Sequence, residues 1–283
     1  MGASGPTVQR NRLGRELRAH REAAGLDQTT AGLALDVDQS TISKMERGRR
    51  RIKRVELNAL LDAYGVDDLA LRAHLVDLAR GGAQRGWWAR YTSTISPAYA
   101  SYLGFESDAA EIFVWEPVVV HGLLQTEAYA RAVIRGTGPE ISDEELERRV
   151  EIRMTRQQQL AKTEPRLWAV LDESVLHRVV GSAQVMRGQL GHLIEMASNP
   201  RITIQVMPFA RGAHPGGPGA LTVLKYAEDA PDVIYAETIA GDLYPEGEEA
   251  RQSILAYDHL RAAALDATTS LEELRKARER SAG

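Results

Sequence analysis

The side chains best suited to recognition chemistry are grouped between positions 39 and 54. Amide, hydroxyl and ammonium groups come first, at Gln39, Ser40, Thr41 and Lys44. Side chains of these types read base edges when the helix that carries them lies in a DNA major groove. A basic run follows directly, at Arg47, Arg49, Arg50, Arg51, Lys53 and Arg54. Because such a run suits the phosphates of a duplex, the whole stretch indicates DNA binding.

A first short helix and a tight turn would place these groups. Asp27 is a good N-cap, and the apolar face of the helix that follows would be formed by Ala31, Ala34 and Leu35. Asp36 stands where the chain must turn, and aspartate tolerates the left-handed conformation better than most residues. The pattern predicts a helix that ends in a turn at Asp36.

A second helix would carry the polar side chains themselves. Asp38 is its N-cap, Ile42 and Met45 form its apolar stripe, and Gly48 supplies the stop. Gly32 lowers helix propensity in the preceding helix, which is expected where a second element must approach closely. The unit therefore reads as helix, turn and helix.

Residues spread over this whole unit carry a resemblance: Gln28, Ala31, Leu35, Val37, Gln39, Ser40, Thr41, Ile42, Ser43, Glu46 and Gly48. The stretch resembles the XRE family of helix-turn-helix repressors. The resemblance implies that Gln28 touches a phosphate and braces the second helix, and that Arg21 pairs with a half-buried Glu46. It also implies that Gln39, Ser40 and Lys44 read bases.

We predict that ten residues contact DNA: Gln28, Thr29, Gln39, Ser40, Thr41, Lys44, Arg47, Arg49, Arg50 and Arg51. The alternative interpretation is a helical hairpin followed by a solvated basic loop. The position of the basic run, where phosphates would lie, favours DNA binding.

Length and charge indicate two domains with different tasks. A chain of 283 residues with 43% hydrophobic content can bury two cores. Residues 1–66 hold 12 lysines and arginines against 8 acidic residues, whereas the remainder holds 23 against 31. A basic head on an acidic chain suits a DNA reader joined to a domain that does not bind DNA.

Several classes of chemistry are not expected. The absence of cysteine excludes disulfides, thiol catalysis and thiolate metal sites. The seven histidines form no His-x-x-x-His pair beside an acidic base, and there is no Gly-x-Ser-x-Gly elbow. We therefore expect no enzyme activity, no metal and no cofactor. Without an apolar signal core or a run of 18 apolar residues, the chain is expected to be cytoplasmic, with no membrane contact.

The first domain is predicted to span residues 1–80. Residues 1–10 are expected to be disordered, and helices are expected at 11–24, 54–64 and 67–79, with Val55 and Leu69 among their apolar residues. The glycine-rich stretch 81–86 is the predicted linker to a second domain at 87–283. Aromatic residues follow it directly: Trp87, Trp88, Tyr91, Tyr99, Tyr102 and Phe105. They are expected to pack under the second domain as core, or to form a lid or partner surface.

The second half mixes strands with longer helices. Strands are predicted at 112–117, 166–170, 202–207, 221–226 and 233–239, and helices at 126–136, 143–161, 172–177, 184–197, 247–264 and 270–281. The N-caps would be Thr126, Ser142 and Ser270. This order predicts an α+β domain whose sheet is partly antiparallel.

Two polar features of this half have open interpretations. Arg149, Arg153 and Arg156 either belong to a solvated, ion-paired helix or turn inward. Turned inward, they would hold Asp172 and Glu173 or line a polar pocket. The glycine-rich stretch 212–219 fits neither the phosphate-loop nor the dinucleotide pattern. It reads as a mobile loop between strands, or as a ligand gate.

Segments of this half carry a second resemblance: residues 122–130, 147–157, 171–174, 185–190 and 205–209. The half resembles the large C-terminal domain of unknown function in the antitoxin-like XRE regulators of actinobacteria. The resemblance implies regulation, often together with a small companion protein, and identifies no ligand. Members usually have proline where this chain has His121.

The predicted fold class is α+β: an N-terminal all-α helix-turn-helix domain followed by a larger mixed α+β domain. The predicted function is a sequence-specific transcriptional regulator that binds a double-stranded DNA operator as a homodimer, held together by its second domain. The signal would come from a small companion protein, or alternatively from a small-molecule ligand.

Overall fold

The computed structural model describes residues 8–82, 86–138, 140–226, 231–238, 241–245 and 247–281. The chain forms two compact units, Met1–Asp108 and Ala109–Gly283. The predicted boundary at residues 81–86 differs from this division, because the aromatic segment that follows it groups with the first unit. Residues 83–85 of the predicted linker lie outside the described residues.

The first unit is helical throughout its described part. Its helices are α1 (Val8–Ala23), α2 (Gln28–Leu33), α3 (Gln39–Glu46), α4 (Arg54–Ala63), α5 (Leu69–Gly81) and α6 (Pro97–Ser107), with a 3₁₀ helix at Trp87–Tyr91 before α6. Their core is formed by Leu13, Leu17, Ile42, Met45, Leu57, Leu60, Leu61 and Leu75. Helix α1 begins three residues before the predicted position, so residues 8–10 are helical. The predicted disorder before them concerns residues outside the described part.

Local chemistry of the predicted helix-turn-helix is confirmed. Asp27 accepts a hydrogen bond from the Thr30 N–H at 2.7 Å, and Asp38 accepts one from the Thr41 N–H at 2.8 Å. Asp36 has φ 52°, in the left-handed region. A Cβ at position 32 would lie 2.4 Å from the Val37 carbonyl oxygen, so only glycine allows the turn to pack on α2.

Three residues predicted on apolar faces are wrong, because Ala34, Val55 and Leu69 are all exposed. Val55 is 80% exposed and Leu69 is 82% exposed. Val55 lies two residues before the buried Leu57, which corresponds to about 200° around the helix and therefore to the opposite face. Leu69 is the first residue of α5, nine residues and about 180° from the buried Leu78.

The described part of the second unit contains a six-stranded sheet in the order β3-β2-β1-β4-β5-β6. The strands are β1 (Glu111–Glu116), β2 (Arg166–Asp172), β3 (Ile202–Met207), β4 (Leu221–Lys225), β5 (Val233–Thr238) and β6 (Gly241–Leu243). Strands β1, β2 and β3 are parallel, and β4, β5 and β6 continue the sheet antiparallel. The α+β class with a partly antiparallel sheet is confirmed.

Helices cover this sheet: α7 (Glu127–Thr137), α8 (Asp143–Thr163), α9 (Glu173–His177), α10 (Ala183–Met196), α11 (Gly247–Ala263) and α12 (Ala267–Arg280). Helices α7 and α8 lie in the crossover from β1 to β2, and α10 lies in the crossover from β2 to β3. Tyr257 and Leu260 of α11 pack on Phe113, Trp115 and Val170 of the sheet. In the described residues, no helix is long and apolar enough to cross a membrane.

The predicted cap of the last helix is wrong. Helix α12 begins three residues earlier than predicted, and Asp266 caps it by accepting from the N–H groups of Thr268 and Thr269. Ser270 is buried inside the helix, where its hydroxyl accepts a hydrogen bond from the Val206 N–H at 2.9 Å. The serine therefore fixes α12 to the edge strand β3 instead of starting the helix.

The stretch 212–219 lies between strands, as predicted. The Trp115 Nε1–H donates to the Gly216 carbonyl at 2.9 Å, and the Gly216 N–H donates to His214 Nδ1 at 3.2 Å. The loop is thereby attached to the end of β1. Its proposed mobility and its action as a gate stay predictions.

Candidate nucleic-acid interface

Helix α3 presents a polar side and an apolar side. Gln39, Ser40 and Lys44 are exposed and Thr41 is half-buried. Ile42 and Met45 on the other side are buried in the core of the first unit. The helix is thus held by its apolar stripe while its first turn and Lys44 face solvent.

A chain of side chains braces the start of α3. Gln39 Nε2 donates to Gln28 Oε1 at 3.1 Å, and Gln28 Nε2 donates to Glu46 Oε2 at 2.8 Å. Gln28 is the first residue of α2, and Glu46 is the last residue of α3. The two helices are therefore linked through Gln28, and the Gln39 amide is oriented before any partner binds.

The last link is a buried ion pair. Arg21 Nε lies 2.5 Å from Glu46 Oε1, and Arg21 Nη2 donates to Glu46 Oε2 at 3.1 Å. The side chains are 7% and 3% exposed, and Arg21 Nη1 also donates to the Leu26 carbonyl at 2.7 Å. The hydrogen bonds to Glu46 raise the pKa of Arg21, so its guanidinium stays charged. The pairing of Arg21 with Glu46, implied by the resemblance, is present in the structure.

Ser40 and Thr41 are partly engaged in capping α3. The Ser40 hydroxyl donates to Asp38 Oδ1 at 3.0 Å, beside the Thr41 backbone N–H. Hydrogen bonds from Thr41 and then Ser40 hold the pKa of Asp38 below its usual range. A base contact from Ser40 would therefore use its lone pairs or replace the bond to Asp38.

The arginines of the basic run differ in exposure. Arg47, Arg49 and Arg51 are exposed. Arg50 is half-buried, and its Nη2 donates to Glu56 Oε1 at 2.8 Å. The Glu56 partner was not predicted, and the signal for it is a carboxylate in the first turn of α4. Arg50 is thus held against α4, while the other three arginines face solvent.

The remaining predicted contact residue lies at the start of α2. Thr29 is exposed and follows Gln28 directly. The structure therefore brings residues of α2, α3 and the basic run into one unit, with amide, hydroxyl and cationic groups exposed. This set of groups can donate to base edges and to phosphates.

The second unit contains a polar cluster around Arg153 and Arg156. Its contacts differ from those expected for arginines that turn inward. Arg149 is exposed and donates to Glu145 at 2.8 Å, whereas Arg156 is buried and Arg153 is half-buried. The inward pair does not hold Asp172 and Glu173. Asp172 caps α9, and Glu173 accepts a hydrogen bond from the Phe209 N–H at 2.7 Å.

The inward arginines instead lie against the segment between β1 and α7. Arg153 Nη1 donates to Gln125 Oε1 at 2.7 Å, and Arg156 lies next to Gly122. Among the described residues, no group of three or more histidines and carboxylates is placed to hold a metal ion.

Comparisons with known families match the two parts of the chain to two different families. Residues 12–75 match the family described as Helix-turn-helix domain. Residues 99–276 match the family described as Domain of unknown function (DUF5753). The matched residues include α2 and α3 in one case and the whole sheet in the other. No curated protein and no solved structure matched the chain.

Proposed function

We propose that this chain, which belongs to the DUF5753 family of unknown function and begins with a helix-turn-helix domain, is a sequence-specific transcriptional regulator. The observation that carries the proposal is the Gln39–Gln28–Glu46–Arg21 network. It orients an exposed amide at the start of α3 through a buried ion pair. Such preorganisation suits a side chain that must meet one base with fixed geometry.

In this proposal α3 lies in the major groove of an operator. Gln39 and Lys44 read base edges, assisted by Ser40 and Thr41. Gln28, Thr29, Arg47, Arg49 and Arg51 contact the backbone, which sets the register of the helix. Arg50 contributes indirectly, because its bond to Glu56 fixes the turn after α3.

We further propose that the regulator binds DNA as a homodimer. One recognition helix buries too little surface for specificity against a genome of competing sites. Two heads on one face of a duplex need half-sites about 10 base pairs apart, related by a two-fold axis. Analytical ultracentrifugation of the full chain with operator DNA tests this, and one chain per operator would contradict it.

The second unit would receive the signal, and a small companion protein is the first candidate, from the family resemblance. A small-molecule ligand is the second candidate, and one observation favours it. Arg156 and His121 are buried polar residues of the second unit, and the half-buried Arg153 donates to the Gln125 side chain. Mass analysis of the species that co-purify with the full chain distinguishes the two candidates.

The proposal is tested by fluorescence anisotropy with a selected operator and with scrambled DNA. Gln39→Ala and Lys44→Ala should each weaken operator binding by about 1–3 kcal/mol and scrambled DNA much less. Gln158→Ala and Lys276→Ala are matched controls, because both residues are exposed on helices of the second unit. Equal weakening on both DNAs would mean that the two side chains do not read bases.

A further inference from the structure

The middle arginine of the basic run is held by a carboxylate of the next helix. Arg50 Nη2 donates to Glu56 Oε1 at 2.8 Å, whereas Arg49 and Arg51 on either side of it are exposed. The backbone N–H groups of Arg49 and Arg50 both donate to the Lys44 carbonyl, at 2.8 and 3.1 Å. The start of the run is therefore fixed to the last turn of α3, beside the side chains proposed to read bases.

Glu56 is itself fixed in position and charged. Its Oε2 accepts from the Lys53 N–H at 2.8 Å, so the side chain caps the start of α4. Burial raises the pKa of Glu56, but hydrogen bonds from the Lys53 N–H and from Arg50 outweigh this effect and hold the pKa below its usual value. The Glu56 side chain is 19% exposed, so water and salt screen the pair less than an ion pair on the open surface. The fold thus places a permanent anion against the basic run.

The pairing leaves one nitrogen of Arg50 without a partner. Arg50 Nη1 is buried and forms no hydrogen bond in the part of the chain that the structure describes. A buried donor without an acceptor is destabilising. Turned outward, the guanidinium would satisfy this donor with water or with a phosphate. The inward position of Arg50 therefore depends on the Glu56 carboxylate.

A carboxylate and a phosphate bind a guanidinium in the same way, through charge-assisted hydrogen bonds. The Glu56 carboxylate therefore takes the place that a DNA phosphate would occupy on Arg50. While the pair is intact, Arg50 adds no phosphate contact to those proposed for its exposed neighbours. If Arg50 turned to a phosphate, the Glu56 carboxylate would be left unpaired close to the negatively charged duplex.

We propose that Glu56 limits the sequence-independent DNA affinity of the first unit, because its carboxylate competes with DNA phosphates for Arg50. This inference rests on the proposed function, since it concerns how strongly the same surface holds any duplex. Phosphate contacts carry no sequence information, so an additional contact would strengthen binding to every sequence alike. Glu56 thereby reduces retention at the many competing sites of a genome.

The test compares the full-length wild type with Glu56→Gln on scrambled duplex DNA, by fluorescence anisotropy at several salt concentrations. Glutamine keeps an oxygen that can accept from the Lys53 N–H, so it preserves the cap while it removes the charge. The plot of the logarithm of the binding constant against the logarithm of salt concentration should steepen by about 0.9 for each chain bound. The advantage of the variant over the wild type should therefore grow about 3.5-fold per chain as salt falls from about 200 to about 50 mM.

Two further variants separate the Arg50 contact from a general effect of charge. Asp67→Asn removes the same charge at an exposed position of the first unit, between α4 and α5, and should keep the wild-type slope. The double variant Glu56→Gln, Arg50→Ala should lose the whole gain, because Arg50 makes the additional contact. Steepening in Asp67→Asn equal to that in Glu56→Gln, or steepening that persists in the double variant, would refute competition for Arg50. A wild-type slope in folded Glu56→Gln would also refute it.

Arg50→Ala alone keeps the test decisive if Glu56→Gln does not fold, because Arg50 does not cap α4. This variant should keep the wild-type slope. Flattening by about 0.9 for each chain bound would show that Arg50 already holds a phosphate in the presence of Glu56, which overturns the proposal.

Failure of this inference and failure of the proposed function give different results. A wild type that binds no DNA would overturn both. If the wild type binds DNA, a failed variant on scrambled duplex concerns Glu56 alone. Base reading by Gln39 and Lys44 is measured separately, from the difference between operator and scrambled DNA.

Discussion

Replacing Arg21 with methionine should strongly destabilise the helix-turn-helix. Methionine fills a similar volume but leaves the Glu46 carboxylate without its cation in a site where it is 3% exposed. Breaking a buried pair by removing one partner costs about 3–5 kcal/mol. That is a large fraction of the roughly 5–15 kcal/mol by which whole domains are typically stable.

The same helix supplies the control. Arg18 pairs with Glu22 at 2.8 Å, but these side chains are 63% and 52% exposed. Arg18→Met should therefore cost less than about 1 kcal/mol. The double variant Arg21→Met, Glu46→Leu should regain much of the loss, because neither charge is then buried alone.

Hydrogen exchange of the α3 amides in the full chain measures this difference directly. A loss of about 3–5 kcal/mol corresponds to exchange that is roughly a hundred to several thousand times faster. If Arg21→Met exchanged no faster than Arg18→Met, the ion pair would not be what supports α3. If the double variant were as unstable as the single variant, the unpaired carboxylate would not be the cause.

Two further predictions concern the basic run and the second unit. The double variant Arg49→Ala, Arg51→Ala should flatten the dependence of the logarithm of the DNA-binding constant on the logarithm of salt concentration, by about 0.9 for each phosphate that is no longer bound. Arg50→Ala should change this slope little, because Arg50 is bonded to Glu56. Equal slopes in all variants, measured by anisotropy at several salt concentrations, would show that Arg49 and Arg51 contact no phosphate. Glu116 binds its proton more tightly in the folded chain, with a pKa of about 8 against an ordinary value of 4.5. Its contribution to the free energy of unfolding is therefore full below pH 4.5 and disappears as pH rises through 8. Glu116→Gln should remove this pH dependence of stability, which amounts to at most about 5 kcal/mol. Urea unfolding of the second unit within the full chain, at pH 5 and at pH 9, should then show a smaller difference in stability for the variant than for the wild type.

The caps and the turn of the helix-turn-helix could be predicted from local chemistry. Asp27, Asp36 and Asp38 each act within three residues of their own position, and caps and turns depend on such short distances. The core of α4 shows the limit of this reasoning. Val55 is apolar, but only its angular distance from Leu57 decides that it faces solvent.

Features that depend on distant contacts could not be predicted in the same way. Ser270 has a good residue type for an N-cap, yet its hydroxyl bonds to β3 and Asp266 takes the cap. Strand β6 has three residues, too few to show an alternating pattern. Arg149 and Arg156 lie on one face of α8 in sequence, but only the second faces the buried segment near Gly122.

The candidate interface was predictable in its composition more than in its geometry. The types and spacing of Gln39 and Lys44 indicated the polar side of α3, and the structure exposes both. The different position of Arg50 depends on Glu56, a carboxylate on the next helix. Because Arg49, Arg50 and Arg51 are identical neighbours in sequence, only this tertiary contact separates the middle one from the others.

Selection of DNA from a random library by the full chain tests the central claim most directly. The claim is that α3 reads bases through Gln39, which the network behind it holds in place, and through Lys44. The wild type should enrich a two-fold symmetric motif with half-sites about 10 base pairs apart. The Gln39→Ala, Lys44→Ala double variant should lose preference at specific positions of that motif while still binding DNA. Enrichment of the same motif by both proteins, or of no motif by the wild type, would contradict the claim.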